Sequence, residues 1–182
     1  MKILLVNNHT KDIEELKRLL DGFDFSVILH EDFSAGSADG FDLVILSGGS
    51  GIRSVKNHPA DYQTEIDFIK NTDKKIIGIC LGAQIIATAF GCTLTGLDAE
   101  HKGITTMRFE GREVLVYEAH RFAINQVSDF IEVLATSDHG IEMIKHKTKP
   151  IYGLQFHPEM FIDKTGGGEV FYKILNKLGV ID

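Results

Sequence analysis

Tryptophan is absent from this sequence of 182 residues, proline occurs 3 times and cysteine 2 times. With Trp 0 and Phe 12, nothing in the composition hints at a surface for stacking nucleobases. Cys80 and Cys92 form neither a CxxC motif nor a metal-ligand pair, so no disulfide framework is expected, and a reducing cytoplasm is the expected compartment. Positive charge is in short supply: 19 Lys and Arg stand against 26 Asp and Glu, a net charge of −7. A nucleic-acid backbone or an anionic membrane would call for a basic surface, so neither is the expected partner. Long hydrophobic runs are missing too. The longest apolar stretch, Ile76 to Cys92, is interrupted by Gly78, Gly82, Gln84 and Gly91 and reads as a buried strand and helix. The N-terminal run Ile3 to Val6 turns polar at Asn7, too short for the apolar segment of a signal peptide. There is no internal repeat, low-complexity tract or linker. At 43% hydrophobic, residues 1–182 have the means for one domain with a sizeable core.

What is present centres on Lys75 to Gln84. Ile76 to Ile79 is a buried-type strand, and Leu81 to Phe90 reads as a helix that Gly91 ends. Between them Gly78-Ile79-Cys80-Leu81-Gly82 has the Gly-x-nucleophile-x-Gly spacing of a nucleophile elbow. A nucleophile on such a sharp turn has strained backbone, and its close neighbours must lack a Cβ. A thiol at a helix N-terminus also meets the positive end of the dipole, which favours thiolate. The competing reading of a lone cysteine is a buried structural residue.

Other apolar runs fall at Ile3 to Val6, Val27 to Leu29 and Leu43 to Leu46, with helices near Asp12 to Leu20 and Pro59 to Lys70. This alternation predicts an α/β fold: an open, mostly parallel twisted sheet with helices on both faces. The second half predicts a small antiparallel region. It comprises a hairpin of Ile104 to Phe109 with Val114 to Tyr117, then strands at Ile131 to Ala135, Ile141 to Lys145 and Ile151 to Phe156. A final helix is expected over Gly168 to Leu178, stopped by Gly179.

A thiol nucleophile needs a base, and the base needs an orienting group. Gln155-Phe156-His157-Pro158-Glu159 supplies candidates, with His157 at a strand end and Glu159 two residues on, able to fix its tautomer. Of the 8 histidines, His30, His58, His101, His139 and His146 are expected to be ordinary surface residues. Ser47-Gly48-Gly49-Ser50-Gly51 reads as an anion-binding turn. As a phosphate cradle it lacks the P-loop lysine. As an oxyanion hole its N–H would join that of Leu81, and as a plain loop it needs no role. Cys80, His157 and Glu159 could ligate a metal on paper, but the elbow favours nucleophilic use, and no metal or cofactor is expected.

Gly78-Ile79-Cys80-Leu81-Gly82-Ala83-Gln84 together with Gln155-Phe156-His157-Pro158-Glu159 resembles the class I (triad type) glutamine amidotransferase domain over essentially the whole chain. The resemblance implies a catalytic triad of Cys80, His157 and Glu159, with an oxyanion hole from the Gly49 and Leu81 N–H groups. It also implies that Gly51 and Gln84 help bind glutamine, and that the Glu118 to Phe122 segment, with His120, Arg121 and Phe122, grips its α-amino and carboxylate ends. A synthase partner receiving ammonia is implied as well. Lys149 to Glu159 is similar to the glutaminase subunits of two-subunit GMP synthases. The glutaminase components of anthranilate, aminodeoxychorismate and imidazole glycerol phosphate synthases share much of the signature. Ser50 and Ala119 depart from the family pattern, where a proline and a serine or asparagine are frequent. They leave room for a stand-alone hydrolase of γ-glutamyl compounds; a non-catalytic module of the same fold is the other alternative.

Overall fold

A computed structural model describes residues 1–50 and 54–181. In chain order the elements are β1 (Lys2–Asn8), α1 (Ile13–Leu19), β2 (Asp24–Leu29), β3 (Leu43–Gly49), α2 (Gln63–Asn71), β4 (Lys75–Ile79) and α3 (Leu81–Ala89). There follow β5 (Thr93–Phe109), β6 (Arg112–Gln126), β7 (Ile131–Ser137), β8 (Gly140–His146), β9 (Ile151–Leu154) and α4 (Gly167–Lys177). Nine strands form one sheet in the order β2-β1-β3-β4-β9-β8-β6-β5-β7. The five strands from β2 to β9 pair in parallel, and β8, β6, β5 and β7 extend the sheet antiparallel.

The continuous apolar runs occupy the middle of the parallel half, as strands covered on both faces must. Ile3, Leu5, Leu43, Ile45, Ile77 and Ile79 face the core shared with α1 and α4. Leu4, Val6, Val44, Leu46 and Ile76 point the other way, into a core shared with α2 and α3. The alternation is the two-residue period of a strand, read out on two opposite helical layers. Gly91 and Gly179 adopt positive φ just past α3 and α4, the stop signals expected of them. Cys92 is half-buried, and both cysteines are free. No helix among the described residues is long and apolar enough to cross a membrane.

The antiparallel part is larger than a small hairpin. Glu110 and Gly111, with φ of 50° and 75°, make its tight turn, the handedness that suits a two-residue hairpin loop. The two strands then run on to pair Thr93 with Gln126, through a register shift between Gly96 and His101. Their polar stretches, Asp98 to Lys102 and Glu118 to Arg121, carry no apolar alternation, so the continuation is not visible as a strand pattern. The sheet order sets β3, β4 and β9 side by side, and the loops leaving their C-terminal ends meet in one crevice, where open α/β sheets keep their sites.

Candidate active site

Cys80 lies between β4 and α3 as the residue preceding the first turn of α3, with φ 50° and ψ −102°. That backbone is strained for an L-residue and is held by its surroundings. The Cys80 N–H donates to the Leu154 carbonyl at 2.7 Å, and its own carbonyl accepts from Gln84 N–H at 3.1 Å. The flanking glycines are there for close approach. A Cβ on Gly82 would stand 2.3 Å from the Leu46 carbonyl oxygen, and one on Gly78 would stand 2.4 Å from Gly82 backbone. Only an elbow without those side chains lets α3 settle against β3.

His157 and Glu159 follow β9. The His157 N–H donates to the Tyr117 carbonyl at 2.8 Å, tying this loop to β6. His157 Nδ1 donates to Glu159 Oε1 at 2.8 Å, and both side chains are buried. The two-residue spacing thus gives the imidazole–carboxylate contact anticipated from the sequence. Burial opposes a charged ring, but the negative charges of Glu159 and Cys80 outweigh it and hold His157 well above the usual histidine range. Gly48 sits between ring and thiol: a Cβ there would lie 3.1 Å from His157 Cε1 and 3.6 Å from Cys80 Cβ. A thiol at a helix start beside an imidazolium fixed by a carboxylate is suited to attack on an acyl carbon.

A small open pocket in front of Cys80 brings the other candidates together. Gly49, Leu81 and Gln84 form one side, and His120, Arg121 and Phe122 of β6 the other. Gln84 is buried and ties these walls, its Nε2 donating to the Phe122 carbonyl at 2.8 Å and to Gln155 Oε1 at 3.2 Å. His120 is buried, whereas Arg121 is exposed and lies 3.7 Å from Glu100. Gly51 lies outside the described residues. His146, expected at the surface, is buried, its Nδ1 accepting the Thr148 and Lys149 N–H groups.

Several residues around the site were not singled out from the sequence. Gln155 Nε2 stands 3.8 Å from Cys80 Sγ. Ser54 and Glu100 line the pocket. Asp12, which the sequence marks only as part of a helix, has its carboxylate within a 4.8 Å group with His157 and Glu159. Burial raises its carboxyl, with Glu159 adding to this and His157 opposing. These three groups lie at the triad itself, where His157 acts on Cys80. Behind the glycine turn, Ser47 Oγ accepts from Asn8 N–H at 2.8 Å and donates to the Gly48 carbonyl at 2.8 Å. Burial pushes the neighbouring Glu65 up to about 8, although the Asn8 side chain opposes it. The signal for Glu65 was legible: it shares a helix face with Phe68 and Ile69, where a charged group is out of place. Asp12 carried no such sign.

Residues 4–177 match the family described as glutamine amidotransferase class-I. The chain belongs to that family. It is 39% identical to the glutamine-hydrolyzing GMP synthase subunit of Methanocaldococcus jannaschii, over 64% of this chain and 64% of that protein. It is 32% identical to the protein of the same description from Methanococcus maripaludis, over 94% and 93% of the two chains. A crystal structure ascribed to the corresponding GMP synthase protein of Thermoplasma acidophilum superposes with a TM-score of 0.86 at 27% identity, covering 99% of this chain and 94% of that one. This amidotransferase has the α/β architecture that its neighbours share, with Cys80 and His157 at the C-terminal edge of the sheet.

Proposed function

We propose that residues 1–182 act as one glutaminase domain that releases ammonia from glutamine for a synthase partner, in the cytoplasm. Cys80 Sγ attacks the side-chain carboxamide carbon, and the tetrahedral oxyanion is held by the N–H groups of Gly49 and Leu81. The His157 imidazolium gives its proton to the departing nitrogen, which leaves as ammonia. The neutral ring then takes a proton from water, the hydroxide opens the γ-glutamyl thioester, glutamate leaves and the Cys80 thiol is restored. Glu159 keeps the ring in the tautomer this requires. Gln84 and Gly51 help bind glutamine, and β6 from His120 to Phe122 meets the amino-acid end of the substrate.

What carries this is the pairing of a strained Cys80 at the start of α3 with the 2.8 Å His157–Glu159 contact, beside a pocket open to solvent. The relatives' descriptions favour a GMP synthase as the ammonia acceptor. Apolar residues near the triad supply a face for such a partner: half-buried Tyr117 packs on exposed Phe161 at 4.9 Å, and Ile104, paired with Tyr117, is exposed. The test is glutamate release by the purified chain, alone and with a synthase partner, beside Cys80→Ala, with labelling of Cys80 by an electrophilic glutamine analogue. Turnover and labelling in wild type, both absent in the variant, are expected. An unlabelled Cys80 together with no glutamate release in either setting would sink the glutaminase.

A further inference from the structure

Beside the pocket wall the fold gathers side chains from four separate stretches: His101 of β5, Glu118 and His120 of β6, His139 in the turn after β7, and Glu142 of β8. The hairpin register sets His101 opposite His120 and Gly103 opposite Glu118. His139 Nδ1 lies 2.8 Å from Glu118 Oε2, and the rings of His101 and His139 are 4.0 Å apart. One donor atom from each of His101, Glu118 and His139 falls within a 4.8 Å group. Two buried polar atoms without a hydrogen-bond partner also meet here, His101 Nδ1 and His120 Nδ1. Buried polar groups are normally satisfied, so such a concentration calls for a reason.

We propose that His101, Glu118 and His139 form a binding site for a divalent transition-metal ion of the zinc class. Two imidazoles and one carboxylate are a donor set this class of ion favours, with a further position left to water. Metal sites are built from a supported first layer, and support is present. Ser137 Oγ donates to Glu142 Oε1 at 2.9 Å, Glu142 faces Glu118, and His120 Nε2 stands 3.6 Å from Glu118 Oε2. The His139 side chain, 37% exposed, gives an ion its way in. The other histidine-containing groups among the described residues are less suited. His9, His30 and Glu31 sit at the surface around a carboxylate that is 49% exposed, Asp12, His157 and Glu159 belong to the site already described, and Glu118, His120 and Glu142 are all buried, with no exposed ligand to admit an ion. An ion at Glu118 joins β5, β6 and the turn after β7, and so pins the strand that brings Ala119 to Phe122 to the pocket. The site does not depend on the glutaminase reading.

Equilibrium dialysis of the chelator-treated full chain against Zn²⁺, with bound metal counted by elemental analysis, tests it. Wild type and Cys80→Ala are expected to retain one ion more than His139→Ala or His101→Ala, whose affinity at this site falls at least about tenfold. Co²⁺ is expected to give a visible absorption band that His139→Ala lacks. His139 lies in an exposed turn, so an unchanged circular dichroism spectrum distinguishes lost binding from lost fold. The site is overturned if wild type retains no ion, if both histidine variants retain as many ions as wild type, or if only Cys80→Ala or His9→Ala loses one.

Discussion

His157 shows how one contact sets a chemical state. A buried imidazole is ordinarily driven neutral, yet Glu159 and Cys80 reverse that and raise it. Glu159→Gln keeps the shape and removes the charge. Without the negative partner the His157 pKa is expected to fall, by nuclear magnetic resonance titration of the ring. Glutamate release is expected to fall roughly 10²–10⁴-fold, since the ring loses both its tautomer and its proton. An unchanged ring titration would mean that Glu159 does not tune His157. That Glu159 reaches the imidazole was readable from His157-Pro158-Glu159, because two residues of chain leave few other partners. That Asp12 joins them was not, because it arrives from the start of α1, far away in sequence.

At the scale of elements, the active centre depends on α3 lying close against β3. Gly82→Ala would press a methyl to 2.3 Å from the Leu46 carbonyl, a backbone atom that cannot turn aside. Gly91→Ala meets nothing within 4 Å and carries only the strain of φ 77°. The first is expected to lose about 3 kcal/mol or more in denaturant unfolding, the second about 1–2 kcal/mol. Equal losses would mean that the helix–strand approach is not what Gly82 secures. The strand runs and this elbow were legible because both are local: apolar continuity marks a covered strand, and the glycines mark a backbone with no room. The full hairpin of β5 and β6 was not, because its distal half pairs through a register shift and faces inward with Glu118 and His120 instead of apolar residues.

For the whole molecule, buried carboxyls link stability to pH. Glu65 has an ordinary value of 4.5 and is pushed up to about 8 in the fold by burial. Below about pH 4.5 both folded and unfolded chains hold its proton. Between 4.5 and 8 only the folded chain does, so stability falls as pH rises through that window, and above it both states are ionised. Glu65→Gln removes this contribution. The variant is expected to match wild type near pH 4 and to exceed it by a few kcal/mol, in order of magnitude, at pH 8 and above. Unfolding curves across pH check this, and a constant difference at all pH values would assign the effect to packing. The Glu118–Glu142 pair titrates in both backgrounds and drops out of the comparison. In that pair, burial and the facing Glu118 charge push Glu142 up. Burial also acts to raise Glu118, but His120, His139 and Glu142 outweigh it and hold Glu118 down.

Local sequence was enough to specify the parallel core, the elbow at Cys80 and the His157–Glu159 pair, since each follows from sterics and spacing over a few residues. What stands around them came only with the folded arrangement. Strand order carried β6 to the far wall of the pocket, and Gln84 met the Phe122 carbonyl across it. The close of α2 onto β1 set Glu65 behind the glycine turn, and the hairpin register, with the turn after β7, gathered three histidines around Glu118. Such groupings join residues from distant stretches, and their proximity exists only after the sheet has chosen its neighbours.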